Sequence, residues 1–463
     1  MVVLINAPLR LSTPTSDRKM PLGLLYIASY LRASSIDVFV LDLSILGLNR
    51  DQIIEEIKRL KPDIVGLNCL SLNVETVLNL AQTIKSNFPR ALVVVGGTHP
   101  TLSGTSLLEL STAVDVLVFG EGEEPMLRLA QDPDRMEDIP GIAFRRNGKI
   151  IQTPRSPRIM NLDSLPFPAV DLLPLEKYWK REKVISLLAS RGCPNKCIFC
   201  ASPAIWGRTV TRRSPENVLK EIQTRIKEFD IRDFHFLDDE FLGWGEENLR
   251  IFCSGARELG IKWRAIGRID QLKNYELIKT LAESGCYKLT FGIESGVQDF
   301  QRFMGKNIDL RIVPEIIHQC QGAGIVTKAY FMLGFPTEKL EEMLATINFA
   351  VSLKRVGLSD AVFLPLMPYY GTSLFRYLQK RDRTDLFRSR TEIADDWASS
   401  QGIVCEKLKK YSYYPENSAN EFLDGKELRE LIRYAYQRFY HEGLKDKFPS
   451  IKTLRRGRDH IHV

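Results

Sequence analysis

The stretch "LLASRGCPNKCIFCASPAIWG", Leu187 to Gly207, holds three of the chain's eight cysteines, at Cys193, Cys197 and Cys200. They follow the apolar run "VISLLAS", which reads as a buried strand, in a loop that Gly192, Pro194 and Asn195 let turn tightly. A loop after a strand of a parallel sheet lies at the carboxyl end, where such folds carry their chemistry. The spacing C-x3-C-x2-C admits three readings. Structural zinc wants four ligands, usually two C-x2-C pairs, and no second pair or matching His is nearby. A redox or catalytic thiol needs one or two cysteines rather than three. An iron–sulfur cubane is normally held by four thiolates, so three would leave one iron open to a small molecule. The other cysteines, Cys69, Cys253, Cys286, Cys320 and Cys405, stand singly in apolar or helical contexts and read as buried small hydrophobes. No paired spacing suggests a disulfide framework.

The chain around this stretch is an ordinary globular one, 44% apolar and 26% charged. At 463 residues it should form two or three domains. No apolar run is long enough to span a bilayer, and "MVVLINAPLR" is not a signal peptide, so a cytoplasmic, soluble protein is expected. The net charge of +7 is mild. The basic tail "LRRGRDHIHV" reads as solvated surface, the aromatic-basic "LKKYSYYP" is at most suggestive of stacking on RNA, and nucleic acid is not an expected partner.

Upstream, "VVLIN", "IDVFVLDL", "PDIVGLN", "ALVVVGG" and "VDVLVFGEGE" are near-continuous apolar runs separated by helical patterns. They predict a parallel sheet covered on both faces, a flavodoxin-like doubly wound domain over residues 1–135. Ligands of such sheets sit at the carboxyl strand ends. Here those ends carry Asn68, Leu70, Ser71, Gly96, Gly97, His99, Gly120, Glu121 and Gly122. A glycine pair is equally consistent with tight turns, and a single His with a hydrogen-bonded turn residue. A hairpin and an extended, proline-rich linker are expected over 136–180. Six further β/α units, with Ser214 capping the helix that opens at Pro215, predict a partial (β/α)6 barrel over 181–372. Residues 373–463 read as a mostly helical module.

The spacing, with an aromatic residue before the last cysteine, resembles the radical S-adenosylmethionine (SAM) superfamily. "RGCPNKCIFCASPAIWGRTVTRRSPENVLKEI", "FLDDEFLG", "FGIESG" and "FMLGFPTEKLEEMLATINFA" look like the subgroup with a cobalamin-binding domain ahead of the barrel. The likeness covers about residues 1 to 375. It implies a 4Fe-4S cluster on Cys193, Cys197 and Cys200, SAM on the open iron, and cobalamin at the strand ends of the first domain. It further implies SAM contacts from Phe199, Asp239, Glu240, Arg268, Glu294 and Ser295, with Arg268 suited to a carboxylate through its planar fork. Each polar residue among them would serve equally as a helix cap or rim closure. Many cobalamin domains carry D-x-H-x-x-G after the first strand. Here "INAPLRLSTPTSDRKMPLG" has no His, which implies cobalt without a histidine from this loop.

The activity implied is methylation of an unactivated carbon of a small molecule through a deoxyadenosyl radical and methylcobalamin. An external one-electron donor such as flavodoxin or ferredoxin would serve the cluster. Cobalamin-assisted rearrangement or cyclisation, action on RNA, or a corrinoid-binding electron-transfer role are the alternatives left open.

Overall fold

The computed structural model describes residues 1–8, 19–180, 182–272, 274–380 and 418–441. The first sheet contains β1 (Val2–Asn6), β2 (Val38–Asp42), β3 (Ile64–Asn68), β4 (Leu92–Gly96), β5 (Val116–Val118), β6 (Ile142–Arg146) and β7 (Lys149–Gln152). Its order is β2-β1-β3-β4-β5-β6-β7. Strands β1 to β5 are parallel, the arrangement that alternating strands and helices predict, with Asn6, Asn68 and Gly96 in register at one end. The expected hairpin is present, but it is no free-standing appendage. β6 joins β5 antiparallel and extends the sheet. Its turn places Asn147 and Gly148 at φ of +51° and +76°, which suits the two-residue connection that Asn-Gly favours.

Alternation along these strands divides the core. Val3, Ile5, Val65, Leu67, Val93 and Val95 face one side, against the helices Arg50–Leu60 and Val74–Asn87. Val2, Leu4, Ile64 and Val94 face the other, against the helix Leu22–Ala33. That second core continues into Ile185, Leu187, Phe234 and Phe236 of the next sheet. A shared apolar core of this kind disfavours free motion of one sheet against the other.

The second sheet is all parallel: β8 (Ile185–Leu187), β11 (Asp233–Phe236), β12 (Lys262–Gly267), β13 (Cys286–Glu294), β14 (Val326–Leu333) and β15 (Leu358–Pro365), adjacent in chain order. Consecutive neighbours with helical crossovers make the partial barrel. The sequence did not suggest the small clasp of β9 (Ser190–Arg191) and β10 (Thr211–Arg212), which pair antiparallel and close the base of the cysteine loop. Ser214 caps the helix Pro215–Phe229 through the Asn217 N–H, as its sequence predicts. Phe236, Phe241, Trp244, Phe252 and Trp263 interlock with centroids 4.3 to 5.9 Å apart. Such pairs contribute about 0.5–1.5 kcal/mol each beyond burial, and they anchor the segment that follows Glu240.

Within the expected C-terminal module, the helices Ser373–Lys380 and Gly425–Tyr440 are described. The Tyr440 and Tyr436 hydroxyls accept from the N–H groups of Ala361 and Phe363 at 3.1 and 3.2 Å, covering the free edge of β15. "LKKYSYYP", the basic tail and Cys405 lie outside the described residues. Among the described residues no helix is long and apolar enough to cross a membrane.

Candidate active site

The clasp delivers the chain to Gly192 and Cys193. Beyond it the loop is pinned from two sides: the Ile198 N–H donates to Met304 O at 2.9 Å, and its carbonyl accepts from the Leu374 N–H at 2.9 Å. All three thiols are free and half-buried. Asn195 Nδ2 donates to Cys193 Sγ at 3.2 Å and the Ser202 N–H to Cys200 Sγ at 3.4 Å. Phe199 sits edge-on to Phe335, centroids 6.0 Å apart.

The donor set fits an iron–sulfur cluster. A structural zinc site is closed by four ligands, and this loop offers three free thiols. Cubane thiolates each meet a separate iron, and N–H donors to sulfur are among the features that tune such clusters. Burial pushes the Cys200 thiol up to about 12, against the Ser202 N–H. Burial also raises Cys197, opposed by the charges of Lys306 and Arg268. Thiols so placed ionise when metal cations supply the missing positive charge.

Around the loop stand the carboxylates and cations of the barrel rim. Glu294 ends β13 with φ of +69°, beside a break in register between Gly292 and Glu294. A non-glycine residue in that region is uncommon and strained. Its Oε1 accepts from Lys306 Nζ at 2.7 Å, both side chains buried. Arg268 is gripped by Asp270 at 2.9 and 2.6 Å and by Lys306 O at 2.7 Å. Its Nη1 is buried with no hydrogen-bond partner, and an orphaned donor beside the cysteine loop suits a ligand carboxylate. Glu240 Oε1 accepts from the Arg268 and Gly243 N–H groups, and burial pushes it up to about 7. Asp239 accepts from Ser202 Oγ at 2.8 Å. Asp238 is spent on Ala189 N–H and Ser190 Oγ, tying β11 to the clasp.

Ser295, expected to contact SAM, is engaged within its own loop. It is fully buried, and its hydroxyl is shared with Thr346 Oγ1 at 3.2 Å and the Val297 N–H at 3.1 Å, so it closes its own loop.

Between the sheets lies a cavity of about 410 Å³, within the range of small-molecule sites. One wall is Asn68, Gly96, Gly97, Gly120, Glu121 and Gly122; the opposite wall includes Arg191, Trp206, Leu237 and Asp239. Gly97, at φ of +108°, has no room for a side chain: a Cβ would meet Asn68 Oδ1 at 2.6 Å and Cys69 O at 2.7 Å. Apolar residues and bare backbone on this wall fit a large flat ring that approaches closely.

Of the residues expected at this ligand, Asn68, Gly96, Gly97, Gly120, Glu121 and Gly122 line the cavity. Leu70, Ser71 and His99 do not line the cavity. His99 is fully buried, its Nδ1 lies 3.1 Å from Ser71 Oγ, and burial lowers it to about 4, so it is neutral near pH 7. Glu121 does line the cavity, but both its oxygens are taken by Arg191, Arg158 and the Ile159 N–H. Lys306, Asp270 and Arg158 went unpredicted, being single charged residues in loops. Arg191 had a signal, a charge ending an apolar strand beside Gly192.

Comparison with known proteins agrees with this fold. The family description "B12 binding domain" matches residues 18–130 and "Radical SAM superfamily" matches 187–350. An uncharacterized methyltransferase of Pyrococcus horikoshii is 33% identical, over 91% of this chain and 87% of its own. An anaerobic magnesium-protoporphyrin IX monomethyl ester cyclase of Rubrivivax gelatinosus is 28% identical over 92% and 80%. The cobalamin-dependent SAM radical enzyme OxsB superposes with TM-score 0.74 at 17% identity, over 94% of this chain and 65% of that one. The methyltransferase TsrM from Kitasatospora setae gives 0.68 at 18%, over 85% and 79%. The fold and site define a radical SAM enzyme with two cofactor domains. The chain belongs to the cobalamin-dependent radical SAM family, whose cofactors are cobalamin, a 4Fe-4S cluster and SAM.

Proposed function

We propose that the protein transfers a methyl group to an unactivated carbon of a small-molecule substrate held in the cavity between its two sheets. The observation that carries this reading is the cavity itself, walled by the glycine-lined strand ends on one side and by the cysteine loop's neighbours Arg191, Trp206 and Asp239 on the other. When bound, the reduced cluster and SAM supply a carbon-centred radical and cobalamin supplies the methyl group, chemistry that belongs to the cofactors. The chain's residues hold, orient and shield. Cys193, Cys197 and Cys200 would hold the irons. Arg268, through Nη1, would take the SAM carboxylate, and Asp239 and Glu240 lie at the strand end suited to its amino group. Lys306 and Arg268 offset the negative charge of the thiolates, and Phe199 and Phe335 shut water from the loop.

The electron would come from an external carrier such as a flavodoxin or ferredoxin. Methyl transfer is favoured over cyclisation by the relatives: the one at 33% identity carries a methyltransferase name, and a cytidylyl-2-hydroxyethylphosphonate methyltransferase of Streptomyces wedmorensis is 29% identical over 77% of both chains. The test is anaerobic reconstitution with iron, sulfide and hydroxocobalamin, then reduction with methyl-labelled SAM. Label reaching the corrinoid, together with deoxyadenosine release, is the expected result. Deoxyadenosine with no label on the corrinoid would favour cyclisation, and neither would leave a binding protein.

A further inference from the structure

The strand leading to the cysteines and the edge of the first sheet meet in one buried ionic cluster. Arg191 Nη1 donates to Glu121 Oε1 at 2.7 Å and Nη2 to Glu123 Oε1 at 2.6 Å, with the guanidinium 5.0 Å from the Tyr26 ring centroid. The second Glu121 oxygen receives Arg158 Nε at 3.2 Å and the Ile159 N–H at 2.8 Å. Arg158 then donates to the carbonyls of Trp206 and Thr209 at 3.0 and 3.1 Å, and to Thr211 Oγ1 at 3.0 Å. So the linker, the first sheet and both ends of the cysteine loop share one carboxylate.

Three features point beyond simple stability. Arg191, Glu121 and Glu123 are 9%, 7% and 3% exposed, yet all three line the cavity. Buried ion pairs are poor sources of stability, because desolvating the charges cancels much of their attraction. A guanidinium bridging two carboxylates does fix direction, since its planar fork permits little rotation. Arg191 precedes Cys193 by two residues, and Glu121 and Glu123 stand among the glycines of the opposite wall.

We infer that Arg191, bridging Glu121 and Glu123, is a positioning residue that fixes the cysteine loop against the glycine-lined edge and thereby sets the separation of the two metal centres. This rests on the proposed function in one respect, that both cofactors occupy these sites. Positioning errors of an ångström are enough to cost orders of magnitude in a radical transfer, so a clamp at this place has a purpose that bulk packing does not supply.

The test uses full-length protein reconstituted with iron, sulfide and hydroxocobalamin, as wild type, Arg191→Met, Arg191→Lys and Glu121→Gln. The readout is the relaxation of the cob(II)alamin EPR signal with the cluster reduced and with it oxidised, alongside iron and cobalt content. Wild type should show a single relaxation enhancement. Arg191→Met should keep both metals but show a broadened enhancement, weakened about twofold or more. Arg191→Lys should recover part of it, which loss of stability alone would not produce. Glu121→Gln, which keeps the Arg191–Glu123 bond, should broaden it less and carries the test if Arg191→Met does not fold. Wild-type relaxation in every variant, whatever their melting temperatures, would overturn the inference. Wild-type protein that binds no hydroxocobalamin would remove the underlying reading, and this inference with it.

Discussion

The two sheets are alike in construction and opposite in how they dress their ligand ends. The second is parallel throughout and the first is parallel over β1 to β5, both are fed by helical crossovers, and both open on the same cavity. The first offers glycines and amides, and where it has carboxylates, at Glu121 and Glu123, these turn to the neighbouring domain. The second offers thiols, a strained Glu294, and the buried cations Lys306 and Arg268. A large ring of diffuse polarity is held by shape and close backbone approach. A cluster of thiolates and a sulfonium with its own carboxylate is held by charge. One wall should therefore be sensitive to volume and the other to charge.

The largest effect tests the charged strand ends around the cysteine loop. Replacing Cys197 with Ala should abolish cluster assembly and deoxyadenosine formation, read as iron content and product, while hydroxocobalamin binding survives. Loss of both cofactors together would break the comparison.

Next is volume. Gly97→Val places a Cβ against Asn68 Oδ1 and Cys69 O, so cobalamin affinity should fall about tenfold or more and stability by about 1–3 kcal/mol. Cluster content should be unchanged. Equal affinity in an equilibrium titration would mean that the glycine wall is not the corrin site.

Third is the buried pair. Lys306→Met strands the Glu294 carboxylate, at a cost of about 3–5 kcal/mol in urea unfolding. Adding Glu294→Gln should recover part of that loss. A single variant as stable as wild type would show that the pair contributes no charge balance.

The smallest effect lies away from both walls. Glu338 accepts from the Gly334 and Phe335 N–H groups, and burial raises it from 4.5 to about 8. The folded protein holds this proton more tightly than the unfolded chain. The group's contribution is complete below about 4.5 and is lost as pH rises to about 8. Glu338→Gln should flatten the melting temperature across that window by a few degrees; an unaltered pH profile would contradict the assignment.

Much of this was legible in the sequence, for identifiable reasons. Parallel strands buried on both faces leave unbroken apolar runs such as "VVLIN" and "ALVVVGG", and β1 to β5 followed. The cysteine spacing is local, so Cys193, Cys197 and Cys200 stood out by themselves. What escaped was long-range. Nothing in "GEGE" marks Glu121 as the partner of an arginine 70 residues later. The extension of the first sheet by β6 depends on edge pairing, which no local pattern encodes. Ser295 and His99 sit at strand ends, where function and loop closure use the same residue types, so no local pattern separates the two. Gly97 and Arg268, read from the same ends, do face the cavity or the cysteine loop.

The central claim is a three-thiolate cluster with an iron left open for SAM. Its most direct measurement is the EPR spectrum of the anaerobically reconstituted, reduced protein before and after adding SAM. The account predicts a 4Fe-4S signal that shifts when SAM binds. A signal indifferent to SAM, or zinc in place of iron, would contradict it.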